Sequence, residues 1–438
     1  MNKYRQLKHS YYLLLPILIL LVFLIQHTFK IGLLGIAGIC LLFGSVFLLN
    51  VDHFIYAFAI LLPNTYIIKL LGFNAALTGY WLMLITLRLL LTNHRSFRLQ
   101  KNLILHLSLH VICLALSVFF TQNTEIVLPL LRFICLILLT NHLISSRLIH
   151  LDKLIQNFIL GNVLNVLCGV FYYVLNGLNL FSGHFSGIGN DRNYFAITLA
   201  FSVNLLLVYL RTKKKVPFSF VIQLLLLYGG IFLSGSRTAL LISLPAFLIL
   251  LSIFARGARF TVRKFLIVLI LLIGSVAAYS LLSESISHLF ERFTKDSYSG
   301  GNGRFEAWFF YLAHGFSSLA SFLFGYGDSE VLVKSGAIPV VEHNVFLQTF
   351  FTIGILGAIT LFIVYKDLFR LFVPRRSRTG FLSYVPMFSI VIGYCTINGL
   401  YSDNLTFCFI LSCAVLSVYI SQKPDERSLE SAKAVIDP

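Results

Sequence analysis

The sequence predicts an all-α, polytopic membrane protein of about 12–14 transmembrane helices, with one large extracytoplasmic loop that contains amphipathic helices. Three observations lead there. The 438 residues are 58% hydrophobic and only 12% charged, with a mean hydropathy of +0.87, whereas soluble domains are nearer half apolar and a quarter charged. Apolar runs of spanning length recur along the whole chain. The basic residues behind the net charge of +17 sit in short clusters between those runs, where topology rather than nucleic acid explains them. No single core could bury this apolar excess in water, which excludes a cytosolic enzyme, a secreted disulfide scaffold and a disordered chain.

Lys3, Arg5 and Lys8 precede an apolar stretch, as in a signal peptide. The stretch is long and has no small-residue cleavage site, so it reads as an uncleaved first span. Candidate spans follow near 11–28, 31–49, 51–63, 74–91, 103–120, 126–144, 154–176, 193–210, 217–233, 237–254, 264–282, 344–366, 381–400 and 404–421. The third is short and is interrupted by Pro63 and Asn64, but parity supports it. With the N-terminus inside, 24 of the 34 Lys and Arg fall in cytoplasmic segments, eight fall outside and two, Arg88 and Arg132, lie within spans. That asymmetry fixes the expected orientation, and the clusters Arg211–Lys215 and Arg375–Arg378 become topology signals. The seven cysteines all fall in apolar segments without CxxC spacing, so they read as small buried hydrophobes rather than zinc ligands or disulfides.

Residues 283–343 form the one long outward connection, with seven acids and four bases. Ile286, Leu289, Phe290 and Phe293 mark one amphipathic helix; Phe305, Trp308, Phe309 and Leu312 mark a second. Both are expected on the membrane's outer face. A Ser297–Gly303 stretch separates them, and Phe324-Gly-Tyr-Gly-Asp328 reads as a turn. Long loops in compact proteins are usually lids or binding loops.

The outward cations depart from the topology rule and are the candidate chemistry. Arg237 lies in Ser234-Gly-Ser236-Arg-Thr-Ala239, between the end of one span and the start of the next. Ser and Gly before a helix start favour an anion, and a guanidinium offers a fork matched to phosphate oxygens; snorkelling to headgroups is the plain alternative. Arg304 follows Gly301-Asn-Gly303 at another helix start, with Glu306 or Glu291 as local partners. Arg192 has Asp191 beside it. Arg132, inside a span, is either functional or paired within the bundle. His343 ends the long loop beside Glu342, which could orient its imidazole or raise its proton affinity; polar trim is the alternative. His106 and His110 share a helix face, but Leu107 stands where HExxH needs glutamate. No outward Asp-x-Asp handle for a metal-bound diphosphate appears, so arginines would have to replace a metal.

Ser234–Ala239, then Gly303-Arg304 with Trp308, then Phe324–Gly327, then His343-Asn344 with Leu347, Gly354 and Gly357, resembles the O-antigen ligase and Wzy-type polysaccharide polymerase superfamily. The resemblance covers roughly residues 186–366 and includes Asn193. It divides the chain into N-terminal helices (1–185), a catalytic region (186–366) and C-terminal helices with a cytoplasmic tail (367–438). What it implies is a cofactor-free, metal-independent glycosyltransferase of the bacterial cytoplasmic membrane, its active site facing outward. The donor would be a glycan on undecaprenyl pyrophosphate. Arg237 and Arg304 would grip the pyrophosphate, with Arg192 as a third, and His343 would take the proton from the acceptor hydroxyl. Ser236, Asn193, Arg132, Trp308, Glu342 and Asn344 complete the expected substrate-binding set. Besides membrane lipid, a flippase and a chain-length regulator are the partners implied, and nucleic acid is not. A polymerase of lipid-linked repeat units leads; a ligase transferring a finished glycan to lipid A core, wall polymer or protein shares its chemistry. A transporter of lipid-linked sugar or a small anion is the alternative of another class.

Overall fold

In the computed structural model the described residues are 2–69, 77–93, 98–189, 191–213, 217–255, 308–309, 311–312, 318–327, 333, 343–373, 380–397 and 399–421. Apart from one bridge between Ser186 and Ile188, their regular structure is helical. The helices are α1 (Asn2–Phe29), α2 (Gly32–Leu48), α3 (Val51–Leu61), α4 (Leu77–Asn93), α5 (Lys101–Thr121), α6 (Val127–Ser145) and α7 (Leu151–Leu175). They continue as α8 (Arg192–Arg211), α9 (Phe218–Ser234), α10 (Arg237–Ala255), the short α11 (Leu319–Phe324), α12 (Val345–Phe372), α13 (Val385–Tyr394) and α14 (Asp403–Ser421). Six of them, α5 to α8, α12 and α14, are long and apolar enough to cross a membrane, and shorter apolar helices accompany them. The protein is an all-α, polytopic membrane protein. Every predicted span has a helix except 264–282, which lies outside the described residues.

Three helices differ from the predicted spans. Helix α3 stops at Leu61, and Pro63 continues it as a 3₁₀ turn, Leu62–Asn64. Asn64 Nδ2 pins that turn, donating to Ile60 O (2.9 Å) and to Gly161 O of α7 (2.8 Å). Helix α13 is only 10 residues, because a 3₁₀ turn at Phe381–Tyr384 and Pro386 delay its start. Helix α12 runs on to Phe372 but breaks at Gly354, whose φ of 66° no helix contains.

That break has an evident structural reason. It frees carbonyls that a continuous helix would consume, and buried carbonyls need donors. Tyr326 N donates to Phe351 O (2.6 Å), Gly327 N to Thr352 O (3.2 Å), and Ser117 Oγ of α5 to Thr352 O (3.1 Å). The Phe324–Gly327 segment therefore docks into the kink. A Cβ on Gly354 would stand 2.3 Å from Leu323 O, and one on Gly325 (φ +84°) would stand 2.5 Å from Thr352 O. Gly354→Ala should cost at least about 1–3 kcal/mol from the positive φ alone, read as a lower thermal midpoint of the detergent-purified protein; an unchanged midpoint would mean that the kink is not constrained.

Helix α8 forms the bundle's centre: 89% of its apolar window is buried, against 28% for α5 at the rim. The rim exposes large apolar side chains, with Leu105 65%, Ile112 57% and Phe119 69% accessible, as a lipid-facing surface requires. Of the cysteines, Cys168, Cys408 and Cys413 are buried, Cys113, Cys135 and Cys395 are partly so, and Cys40 is exposed. The expectation of seven buried cysteines is corrected accordingly; Cys40 faces outward from apolar α2.

Two ends of the bundle can be told apart. At one, basic loops converge: Lys213 Nζ after α8 pairs with Asp152 of α7 (2.9 Å), and Arg98 N donates to His142 Nδ1 near the end of α6 (3.2 Å). Arg88 Nη1 donates to the carbonyls of Val46 and of Leu49 (2.8 Å) at the end of α2. This guanidinium within a predicted span thus caps a neighbouring helix. His106 and His110 cross-link α5 to α12: His106 Nδ1 meets Asp367, and His110 Nδ1 lies 2.9 Å from Thr360 Oγ1. His110 Nε2 lies 2.6 Å from Tyr401 OH. Their shared face serves helix packing. The other end gathers the starts of α8, α10, α12 and α14.

Candidate functional site

The turn between α9 and α10 is built as its sequence suggests. Gly235 closes α9 in the left-handed conformation (φ 61°), and a Cβ there would lie 2.7 Å from Gly183 O. Ser236 N donates to Ser234 Oγ (3.2 Å). Ser236, 1% exposed, then donates from Oγ to Asn193 Oδ1 at the head of α8 (3.2 Å). Two expected substrate-binding residues from distant stretches are thus joined, and Arg237 follows immediately, half-buried, as the first residue of α10.

Asp191 caps α8, accepting from Asn193 N (2.8 Å) and Tyr194 N (3.1 Å). Arg192 beside it donates from Nη1 to Gly183 O (3.0 Å) and meets His184 Nδ1. The carboxylate expected as a local ion partner thus caps the helix, and the guanidinium ties the helix start to the 183–184 loop.

Asn344 is the N-cap of α12, accepting from Phe346 N (2.9 Å) and Leu347 N (3.2 Å). This geometry gives the expected binding residue Asn344 a structural task. His343 precedes it, exposed, with a positive φ of 48°, so the chain turns sharply as it enters the helix. Gln348, one turn into α12, accepts through Oε1 from Gly399 N and Leu400 N (both 2.9 Å), tying this helix start to the turn before α14. Arg304, Glu342 and the helix expected at 286–293 lie outside the described residues. Trp308 is half-buried on a helical segment. There the contact with the bundle is made by Tyr311, whose ring packs edge-on against Phe351 (4.7 Å). Phe309 and Leu312, on the same predicted apolar side, are exposed.

Arg132 is paired within the bundle. Its Nη1 lies 3.4 Å from Asp403 Oδ2 at the start of α14, and the carboxylate is 8% exposed. Gly79 of α4 makes room: a Cβ there would stand 2.3 Å from Arg132 Cδ and 3.2 Å from Asp403 Oδ2. The pair lines a cavity of about 220 Å³ walled by the turn after α3, by Asn165 of α7, and by the starts of α8 and α14. Lys69 lies over the Tyr66 ring (4.6 Å), and burial pushes its ammonium below the usual lysine range. Tyr194 OH meets Ser402 Oγ, and Asn404 Nδ2 donates to Thr198 Oγ1 (3.4 Å). Sequence reasoning missed Asp403, Asn404 and Tyr194. An intramembrane arginine implies a partner, and Asp403 at the head of a span was the signal available.

Residues 221–362 match the O-antigen ligase family model Wzy_C. Over those residues the chain is similar to the O-antigen ligase family. The match begins within α9 and ends within α12, so it contains Ser236, Arg237, Arg304, Trp308, Glu342, His343 and Asn344. Arg132, Arg192, Asn193 and Asp403 lie outside this stretch in sequence, yet Asn193 is hydrogen-bonded to Ser236 within it. No curated protein matches the chain.

Proposed function

We propose that this protein is a glycosyltransferase that joins oligosaccharide repeat units, carried on undecaprenyl pyrophosphate, at the outer face of the bacterial cytoplasmic membrane. The observation that carries the reading is the ligase-domain match across a stretch in which Arg237 and His343 open or adjoin helices at one end of the bundle, opposite the basic loops. By the positive-inside rule the basic end is cytoplasmic, which turns the candidate site outward.

In the proposed reaction the acceptor hydroxyl oxygen attacks the donor's anomeric carbon, and the bond from that carbon to the pyrophosphate oxygen breaks. His343 accepts the hydroxyl proton, and Arg237 with Arg304 stabilises the negative charge that grows on the leaving pyrophosphate. One displacement inverts the anomeric configuration. Fixed guanidinium groups aimed at developing charge are worth about 3 kcal/mol each in barrier. Arg237→Lys should therefore lower turnover about a hundredfold, because an ammonium cannot make the bidentate contact; full activity would point to generic charge.

The deciding assay supplies purified protein with lipid-linked repeat units and no nucleotide sugar. Longer chains and free lipid pyrophosphate are expected. The family description favours a second reading, a ligase; transfer of a finished glycan to a separate acceptor, with no chain growth, would select it. Binding or translocation without bond cleavage would replace both by a transporter.

A further inference from the structure

The loop before α8 carries a histidine that the proposed reaction leaves unused. His184 is exposed, but its neighbours on either side are buried and anchored. Phe185 N donates to Leu233 O near the end of α9 (3.3 Å). The Phe185 ring packs edge-on against Tyr173 of α7 (5.0 Å) and Phe195 of α8 (5.4 Å). Gly183 O lies so close to Gly235 that a Cβ there would stand 2.7 Å from it. The imidazole is therefore presented by backbone clamped among α7, α8 and the turn between α9 and α10.

Arg192 reaches back to this loop. Its Nη1 donates to Gly183 O (3.0 Å) and meets His184 Nδ1. A guanidinium only donates, so Nδ1 accepts and the ring is a neutral imidazole with its proton on Nε2. Both acceptors are uncharged; they aim the guanidinium without cancelling its charge. Asp191, the adjacent acid, is the N-cap of α8. Ser236 Oγ donates to Asn193 Oδ1 (3.2 Å), and Arg192 and Arg237 each adjoin one partner of that bond in the chain. Two helix starts that each bear an arginine thus stand side by side. An arginine held before its ligand arrives loses less rotamer freedom on binding, an effect of up to about tenfold per side chain.

We propose that His184 is a positioning residue: its Nδ1 holds the Arg192 guanidinium beside the Ser236–Arg237 turn, so that Arg192 and Arg237 bind one lipid-linked pyrophosphate together. The assignment of that ligand rests on the function proposed above. His184 does not touch the reacting atoms, and with Nδ1 occupied by Arg192 and the proton on Nε2 it is not a second general base beside His343.

The test is binding of tritiated farnesyl pyrophosphate to the full chain in nanodiscs. His184→Ala should weaken it about tenfold. His184→Asn, whose Oδ1 stands where Nδ1 does and accepts from a guanidinium, should return affinity to within threefold of the wild type. A double-mutant cycle separates positioning from direct contact: in an Arg192→Met background, His184→Ala should change affinity less than twofold. No binding by the wild type, unchanged affinity in His184→Ala, or full additivity with Arg192→Met overturns the proposal. Rescue by His184→Gln and not by His184→Asn would place the useful contact at Nε2 and overturns it as well. In the transfer assay, kcat/KM for the lipid-linked donor should follow the same order of variants. A wild type that binds farnesyl pyrophosphate in this pattern yet transfers nothing would retain the role of His184 and reject the transferase reading; chain growth untouched by His184→Ala would do the reverse.

Discussion

Replacement of His343 by alanine is expected to abolish glycosyl transfer while lipid-linked donor still binds. A positioned general base contributes roughly 10²- to 10⁴-fold, so turnover should fall by at least a hundredfold, whereas donor affinity, assigned to the arginines, should stay within a few fold. The substitution removes an exposed side chain from the residue before the N-cap of α12 and should leave folding intact. Asn344→Ala is the control for the helix start: its cap accepts two backbone N–H groups, and losing it costs about 1 kcal/mol of stability. A His343→Ala enzyme with wild-type turnover would remove the imidazole from the mechanism. Comparable loss of donor binding would instead assign His343 to the binding set.

Arg132→Met should destabilise the protein more than Asn344→Ala. It leaves the carboxylate of Asp403, 8% exposed, without its cation, and breaking a buried ion pair from one side typically costs about 3–5 kcal/mol. A fall in the denaturation midpoint of the purified protein reads this directly. The double replacement Arg132→Met with Asp403→Leu should recover most of the loss, because two apolar groups of similar volume leave no buried charge behind. A double variant as unstable as the single one would show that the arginine acts through packing against α4 rather than through its charge.

Much of the architecture was legible because lipid imposes a simple rule. Each span must be long, apolar and internally hydrogen-bonded, so hydropathy located the helices well. It misjudged α3, α12 and α13, where Pro63, Gly354 and Pro386 redirect the backbone. The Ser234–Ala239 turn was readable because Ser and Gly carry local capping chemistry. Asp403 was not, since its importance comes from Arg132, 271 positions away.

The sequence alone determined the medium, the helical class, the expected orientation and the family resemblance that the match over residues 221–362 supports, because apolar length, charge placement and ordered motifs are written along the chain. Only the tertiary structure decided that Asn193 holds Ser236, that Asn344 caps α12, and that Arg132 pairs with Asp403 on the wall of a cavity. Those are relations between side chains on different helices. They depend on which faces meet when apolar cylinders pack, and in an all-round apolar helix the periodicity that would announce a face is absent.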